Sequence, residues 1–175
     1  IEVMKNLRNL AAKNANALQH TYFLGAGAYN HFIPAIVPHI VFRSEFYTAY
    51  TPYQPEISQG MLQAIYEYQT MVAELYAMDV ANASMYDGST AVAEAILIAK
   101  FSNARKEVLI SEALNPEYKA VVQTYAWANE LKLIEVPAKN GLTDLNELEK
   151  LVNGNTACVI VQYPNFFGCI ENLSE

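Results

Sequence analysis

Residues 108–136 read VLISEALNPEYKAVVQTYAWANELKLIEV, and this stretch decides the fold. Val108 to Ser111 form a short apolar strand. Asn115-Pro116 then opens a helix, with Asn suited to the cap and Pro to the first turn, where its missing N–H is not needed. That helix is predicted to run to about residue 130, and residues 133–136 form the next strand. Strand, helix and strand at this spacing make a parallel pair joined by a crossover helix.

Working outward toward the C-terminus, Asn140-Gly141 is a turn, Thr143 caps a helix ending near Asn153-Gly154, and residues 157–163 form an uncharged strand of the kind buried on both faces. Toward the N-terminus, residues 83–87 are a short strand candidate and residues 90–102 a helix packed with alanine and isoleucine. Four strands alternating with helices predict an α/β domain, a parallel-rich sheet flanked by helices with right-handed crossovers. The most apolar strand comes last, with no helix after it. The sheet is therefore expected to be incomplete and the chain a piece of a longer subunit.

Upstream the pattern differs. Residues 4–20 read as a helix, with Leu7, Leu10, Ala11, Ala15 and Leu18 at helical spacing. Residues 21–57 are rich in Gly, Pro and aromatic side chains and read as an arm that lies on other surfaces. Ser58 is the expected N-cap of a further helix whose apolar stripe is Leu62, Ile65, Val72, Leu75 and Tyr76. The predicted division is an N-terminal helix and extended arm over 1–57, then the beginning of a large α/β domain over 58–175.

Composition narrows the class. Of 175 residues, 53% are hydrophobic and 17% charged, which excludes a disordered chain. The net charge of −7, with eleven scattered Lys and Arg, argues against a nucleic-acid partner. The longest apolar runs fall short of the roughly 20 residues a membrane helix needs, so no membrane association is expected. The first residues lack the basic-then-apolar order of a secretory signal, and without a Met at position 1 further residues are expected to precede them. Cys158 and Cys169 form no CxxC and read as two reduced thiols in a cytoplasmic protein.

Ligands of open parallel sheets bind beyond the carboxyl ends of the strands. Those ends are predicted at Asp87-Gly88-Ser89-Thr90, at Ser111-Glu112 and at Gln162-Tyr163-Pro164-Asn165. The first places small, hydroxyl-bearing residues at a helix N-terminus, where free amides favour an anion. Gly88 permits close backbone approach, and Ser89 and Thr90 can donate to phosphate oxygens; equally, Ser89 can simply cap its helix. There is no GxxxxGK[ST], and Gly25-Ala26-Gly27 follows a helix and lacks a third glycine, so it is a poor dinucleotide loop. His20, His31 and His39 have no metal-ligand spacing, and no metal site is expected. No Ser-His-Asp grouping can be assembled.

The arm holds a denser feature over residues 47–60, YTAYTPYQPEISQG. Its two prolines stiffen it and push the preceding residues extended. Tyr50, Tyr53, Gln54 and Glu56 supply hydrogen-bonding groups that a plain linker does not need. Tyrosine rings, apolar with one polar tip, suit interfaces. A rigid strap at a subunit interface and a strap lining an active site both fit.

At this point the residues resemble a known family. Thr51-Pro52-Tyr53-Gln54-Pro55-Glu56-Ile57-Ser58-Gln59-Gly60, with Tyr68-Gln69-Thr70-Met71, is similar to the TPYQPEISQG…QTM signature of glycine cleavage P-proteins. So is Ala81-Asn82-Ala83-Ser84-Met85-Tyr86-Asp87-Gly88-Ser89-Thr90-Ala91, followed by Glu94-Ala95. Residues 23–29, with His31 and Pro34, look like the first subunit of the two-subunit prokaryotic form, and residues 161–168 match the later strand end.

The resemblance implies a fold-type I enzyme that uses pyridoxal 5'-phosphate. Such proteins decarboxylate glycine and pass the aminomethyl group to the lipoyl arm of the H-protein, with the cofactor as electron sink. Implied cofactor-binding residues are Asp87, Gly88, Ser89 and Thr90. The implied active-site strap is Tyr50, Thr51, Tyr53, Gln54, Glu56, Ser58 and Gln59. In two-subunit forms the lysine that forms the internal aldimine belongs to the second subunit. Here Lys5, Lys13, Lys100, Lys106, Lys119, Lys132, Lys139 and Lys150 are all predicted in helices or turns, none with the setting of a Schiff-base lysine. The chain alone is therefore expected to be inactive and to complete the site of a lysine-bearing partner. Two alternatives stand beside this reading: a non-catalytic scaffold half, or another fold-type I enzyme such as an aminotransferase, which the TPYQPEISQG stretch does not fit.

Overall fold

The computed structural model describes residues 1–23 and 30–174, so the Gly25-Ala26-Gly27 stretch lies outside the described residues. The chain divides into two compact units, Ile1–Asn30 and His31–Glu175. The first holds helix α1 (Glu2–Ala11), with Glu2 in its first turn and Arg8 in its last, each complementing the helix dipole. The helix expected to reach residue 20 stops at 11. Beyond it Asn14 donates to the Ala11 carbonyl and Asn16 accepts from the Leu18 N–H. These short amide side chains offer the backbone local partners that compete with a continuing helix.

The second unit opens with the arm. It forms two short helices, α2 (Ile36–Val41) and α3 (Ser44–Tyr47), and a 3-10 turn over Pro55–Ile57. Helix α4 (Gln59–Leu75) follows, with Ser58 at the N-cap position but no hydrogen bond from its side chain. Leu62, Ile65 and Val72 are half-buried as the stripe predicts, whereas Leu75 and Tyr76 are exposed. Residues 83–87 do not form the expected strand. They are exposed, bury no apolar stripe, and end at a residue whose side chain, not a neighbouring strand, satisfies the local amides.

From there strand and helix alternate. Helix α5 (Gly88–Asn103) leads to β1 (Glu107–Ser111), α6 (Pro116–Ala128), β2 (Lys132–Val136), the hairpin strands β3 (Ala138–Lys139) and β4 (Leu142–Thr143), α7 (Leu145–Leu151) and β5 (Thr156–Ile160). The sheet order is β2-β1-β5, with both pairings parallel. Three parallel strands and a small hairpin thus replace the four strands expected.

Because side chains alternate across a strand, Val108 and Ile110 of β1 face one layer. There they pack with Ala93 and Ile96 of α5 and Val122 and Ala126 of α6. Leu109 is fully buried outside that cluster, on the opposite face. Asn115 caps α6 as expected, its side chain accepting from the Glu117 N–H at 2.9 Å. The Asn140-Gly141 turn also forms: both residues have positive φ (56° and 80°), the geometry of tight hairpin turns.

Two details differ. Asp144, not Thr143, caps α7, accepting from the N–H groups of Asn146 and Glu147; the Thr143 hydroxyl is engaged elsewhere. And β5 is shorter than expected and not buried on both faces, with Val159 41% exposed. It is an edge of the described sheet, so only one side is paired.

Candidate functional site

Loops at the carboxyl ends of the three parallel strands carry the polar groups of interest. Beyond β1, the Ser111 and Thr143 hydroxyl oxygens lie 2.7 Å apart. Thr143 donates its N–H and its hydroxyl to the Glu171 carboxylate, at 3.1 Å each. Ser111 is then the donor to Thr143, and it accepts in turn from the Ala113 N–H. Asn165 donates to Glu171 at 2.8 Å and to the Gly141 carbonyl at 2.7 Å, while its oxygen accepts from the N–H groups of Phe167 and Cys169.

Glu171 is only 7% exposed. Buried carboxylates are costly unless saturated by donors, and this one is. The result ties the end of β1, the β3–β4 hairpin and the segment after β5 into one block. Beside it, Glu112, Ala138, Gly141 and Phe167 line an open hollow of about 320 Å³. Neither Glu171 nor Thr143 was legible as part of a site, since no short-range spacing connects them. Asn165 belongs to the predicted strand end Gln162-Tyr163-Pro164-Asn165, and its amide is the hub.

The second feature is the loop ahead of α5. Asp87 is its N-cap in a capping box with Thr90. The Thr90 N–H donates to Asp87 Oδ1 at 2.8 Å and its hydroxyl to the same oxygen at 2.7 Å. Ser89 donates to both carboxylate oxygens, at 2.9 and 2.8 Å. So Asp87 caps the helix, where Ser89 was the expected alternative. The Thr90 hydroxyl, its backbone N–H and then the Ser89 hydroxyl hold the Asp87 carboxyl below its ordinary value. A Cβ built on Gly88 would meet the Tyr118 hydroxyl, with Tyr118 Cζ at 3.0 Å, so the ring of α6 covers the glycine.

The strap residues are placed but not joined to that loop. Tyr50 and Tyr53 are 85% and 75% exposed, their rings 6.1 Å apart. The Tyr53 N–H donates to the Thr51 carbonyl at 2.8 Å. Gln54 precedes the 3-10 turn, Glu56 lies within it, and Ser58 and Gln59 open α4. Among the described residues, no hydrogen bond links the strap to residues 87–90.

Of the lysines, Lys119, Lys132 and Lys150 pair with Glu135, Glu107 and Glu147, and Lys100 donates to the Asn129 carbonyl. Cys158 is half-buried, and burial pushes its thiol above the usual value, away from nucleophilic use. Among the described residues no cluster of three or more metal-ligating side chains occurs, and no helix is long and apolar enough to cross a membrane.

Comparison with known proteins agrees with the motifs. The family described as "Glycine cleavage system P-protein" matches residues 1–175. The chain is 62% identical to the "Probable glycine dehydrogenase (decarboxylating) subunit 1" of Anoxybacillus flavithermus, over 99% of this chain and 39% of that protein. It is 56% identical to the protein of the same description from Carboxydothermus hydrogenoformans, over all of this chain and 39% of that one. A solved structure, "Crystal structure of glycine decarboxylase (P-protein) of the glycine cleavage system, in inhibitor-bound form", superposes with a TM-score of 0.88 at 49% identity, covering 98% of this chain and 38% of that chain. The chain thus spans about two fifths of the length of its relatives. Its architecture is that of a fold-type I, aspartate-aminotransferase-like large domain in part: a parallel sheet flanked by helices.

Proposed function

This chain belongs to the glycine cleavage system P-protein family, and from that premise we propose that it serves as the subunit of an aminomethyl-transferring glycine decarboxylase that leaves the cofactor-bearing lysine to its partner. The partners in this reading are a second, lysine-bearing P-protein subunit, the lipoyl H-protein and glycine itself, in the cytoplasm. Pyridoxal 5'-phosphate, when bound, supplies the electron sink that makes decarboxylation of an amino acid feasible. What carries the reading is the setting of the lysines. Lys119, Lys132 and Lys150 pair with carboxylates and Lys100 donates to a backbone carbonyl, so these four already have partners and none of them lines the hollow beside Glu112. Among the described residues, Lys5, Lys13, Lys106 and Lys139, the last of which ends β3, are not held in this way, so the assignment of the covalent anchor to the partner is part of the proposal, and no chemical step is routed through the lysines of this chain.

What this chain would contribute is shape. Residues 1–57 act as helix and arm, residues 58–175 as the beginning of the large domain. We place Tyr50, Thr51, Tyr53, Gln54, Glu56, Ser58 and Gln59 along the partner's cleft as a strap whose exposed rings lack a covering surface within the described residues. Borohydride trapping of the holoenzyme, followed by peptide mapping, tests the division of labour. The expected pyridoxyl adduct sits on the partner, and an adduct on any lysine of this chain overturns the proposal. Tyr53→Ala tests the strap. It is expected to lower glycine decarboxylation about tenfold or more, a weight typical of losing one well-placed contact, while the cofactor's absorbance band is unchanged. Full activity in Tyr53→Ala would favour the scaffold reading, in which this half only buttresses its partner.

A further inference from the structure

The loop over residues 87–90 has the shape of an anion seat. A helix begins there, a glycine allows close approach, and two hydroxyls converge on the same point. What they converge on is part of the chain itself. The Asp87 carboxylate takes the Thr90 N–H, the Thr90 hydroxyl and the Ser89 hydroxyl, all between 2.7 and 2.9 Å. Ser89 is 5% exposed, so its hydroxyl has little room to turn toward anything else. The glycine that would let a phosphate approach the backbone is covered by Tyr118 of α6. That is a second closure, contributed by a different element.

We infer that Asp87 is the resident anion of this loop and excludes the phosphate of pyridoxal 5'-phosphate from it. This deepens the proposed division of labour and rests on it for the cofactor's place in the partner, revising the role that the family resemblance implies for Asp87, Gly88, Ser89 and Thr90. A phosphate entering here would meet a carboxylate at hydrogen-bond range, and like charges at that distance oppose each other strongly. It would also find both hydroxyl donors taken. The same groups explain why the loop nevertheless looks like a phosphate loop in sequence: a helix N-terminus wants negative charge, and here the chain supplies its own.

The test uses the intact two-subunit enzyme and reads hydrogen exchange in the peptide that spans residues 87–91, with inorganic phosphate or pyridoxal 5'-phosphate added. In the wild type neither addition is expected to slow exchange. Asp87→Asn keeps an oxygen acceptor at the cap and removes the charge, so the helix is retained. In that variant, and in Asp87→Asn combined with Tyr118→Ala, phosphate is expected to slow exchange of the peptide about tenfold at a concentration that leaves the wild type unchanged, the weight of one nearby charge at a hydrated helix end. Exchange without phosphate, compared across the proteins, shows that α5 is intact. Protection of the wild-type peptide by either compound overturns the inference, and so does an absence of gain in both variants. Borohydride mapping of the same samples reads the division of labour separately. A pyridoxyl adduct on this chain would sink the proposed function without touching the loop result, and phosphate in the wild-type loop would do the reverse.

Discussion

Ile96→Ala is expected to lower the stability of the α/β unit by about 2–5 kcal/mol, the range for truncating a large aliphatic side chain in a closed core. Ile96 is 0% exposed and sits where α5, α6 and β1 meet, among Ala93, Val108, Ile110, Val122 and Ala126. Two of those neighbours are already alanines and cannot reach into the space left behind. The strand neighbours are fixed by ladders to β2 and β5 on both sides. The site therefore collapses poorly, and the loss should fall in the upper half of that range. Ile96→Val removes one methylene and should cost about 0.5–1.5 kcal/mol. Hydrogen exchange of the β1 amides in the intact protein measures both. A loss below about 1 kcal/mol for Ile96→Ala would mean that α5 can shift into the gap, against the packing described.

The second large effect is expected at Glu171. Its replacement by alanine leaves the Thr143 N–H without an acceptor, while the Thr143 hydroxyl keeps Ser111 and Asn165 keeps the Gly141 carbonyl. One buried donor orphaned and two weakened amounts to about 2–3 kcal/mol. Glu171→Gln is the more discriminating change. If its oxygen stays toward Asn165 and the Thr143 hydroxyl, its amide group faces the Thr143 N–H, donor against donor. Gln should therefore retain only about half of the stability that Ala loses. The readout is exchange at the β3–β4 hairpin, where Thr143 resides. Equal stability of wild type and Gln would show that water, not Glu171, serves that amide.

How much of this was legible beforehand depended on the range of the interaction. Asn115 and Pro116 announced α6 because a cap acts within three residues, and Asn140-Gly141 announced its hairpin because positive φ is a property of the residues themselves. The parallel pairing followed from alternation alone. Residues 83–87 misled, because a short run of small and aromatic residues looks like a strand until one asks what it buries, and here it buries nothing. Thr143 was misassigned as a cap for a different reason. Its hydroxyl had two suitors, the local helix and a carboxylate 28 residues away, and the buried one won while Asp144 took the cap. The family motifs located residues 50–59 and 87–90, yet a motif names residues without saying what occupies them. Only the hydrogen bonds at Asp87 and the position of Tyr118, 31 residues on, reveal a loop that is already filled.

The Ser111–Thr143–Glu171 block has a consequence in time. The β1–α6–β2 pairing uses neighbours in sequence and can form as soon as residue 136 is free, whereas the acidic keystone arrives 28 residues after Thr143. At about 5–20 residues per second of synthesis, that interval lasts a few seconds. Through it the Thr143 amide has only water to bind, and its hydroxyl only Ser111 and water. A nascent chain is thus expected to pass through a stage with β1 and β2 paired and its carboxyl-end loops still loose, until β5 and then one late glutamate close the edge.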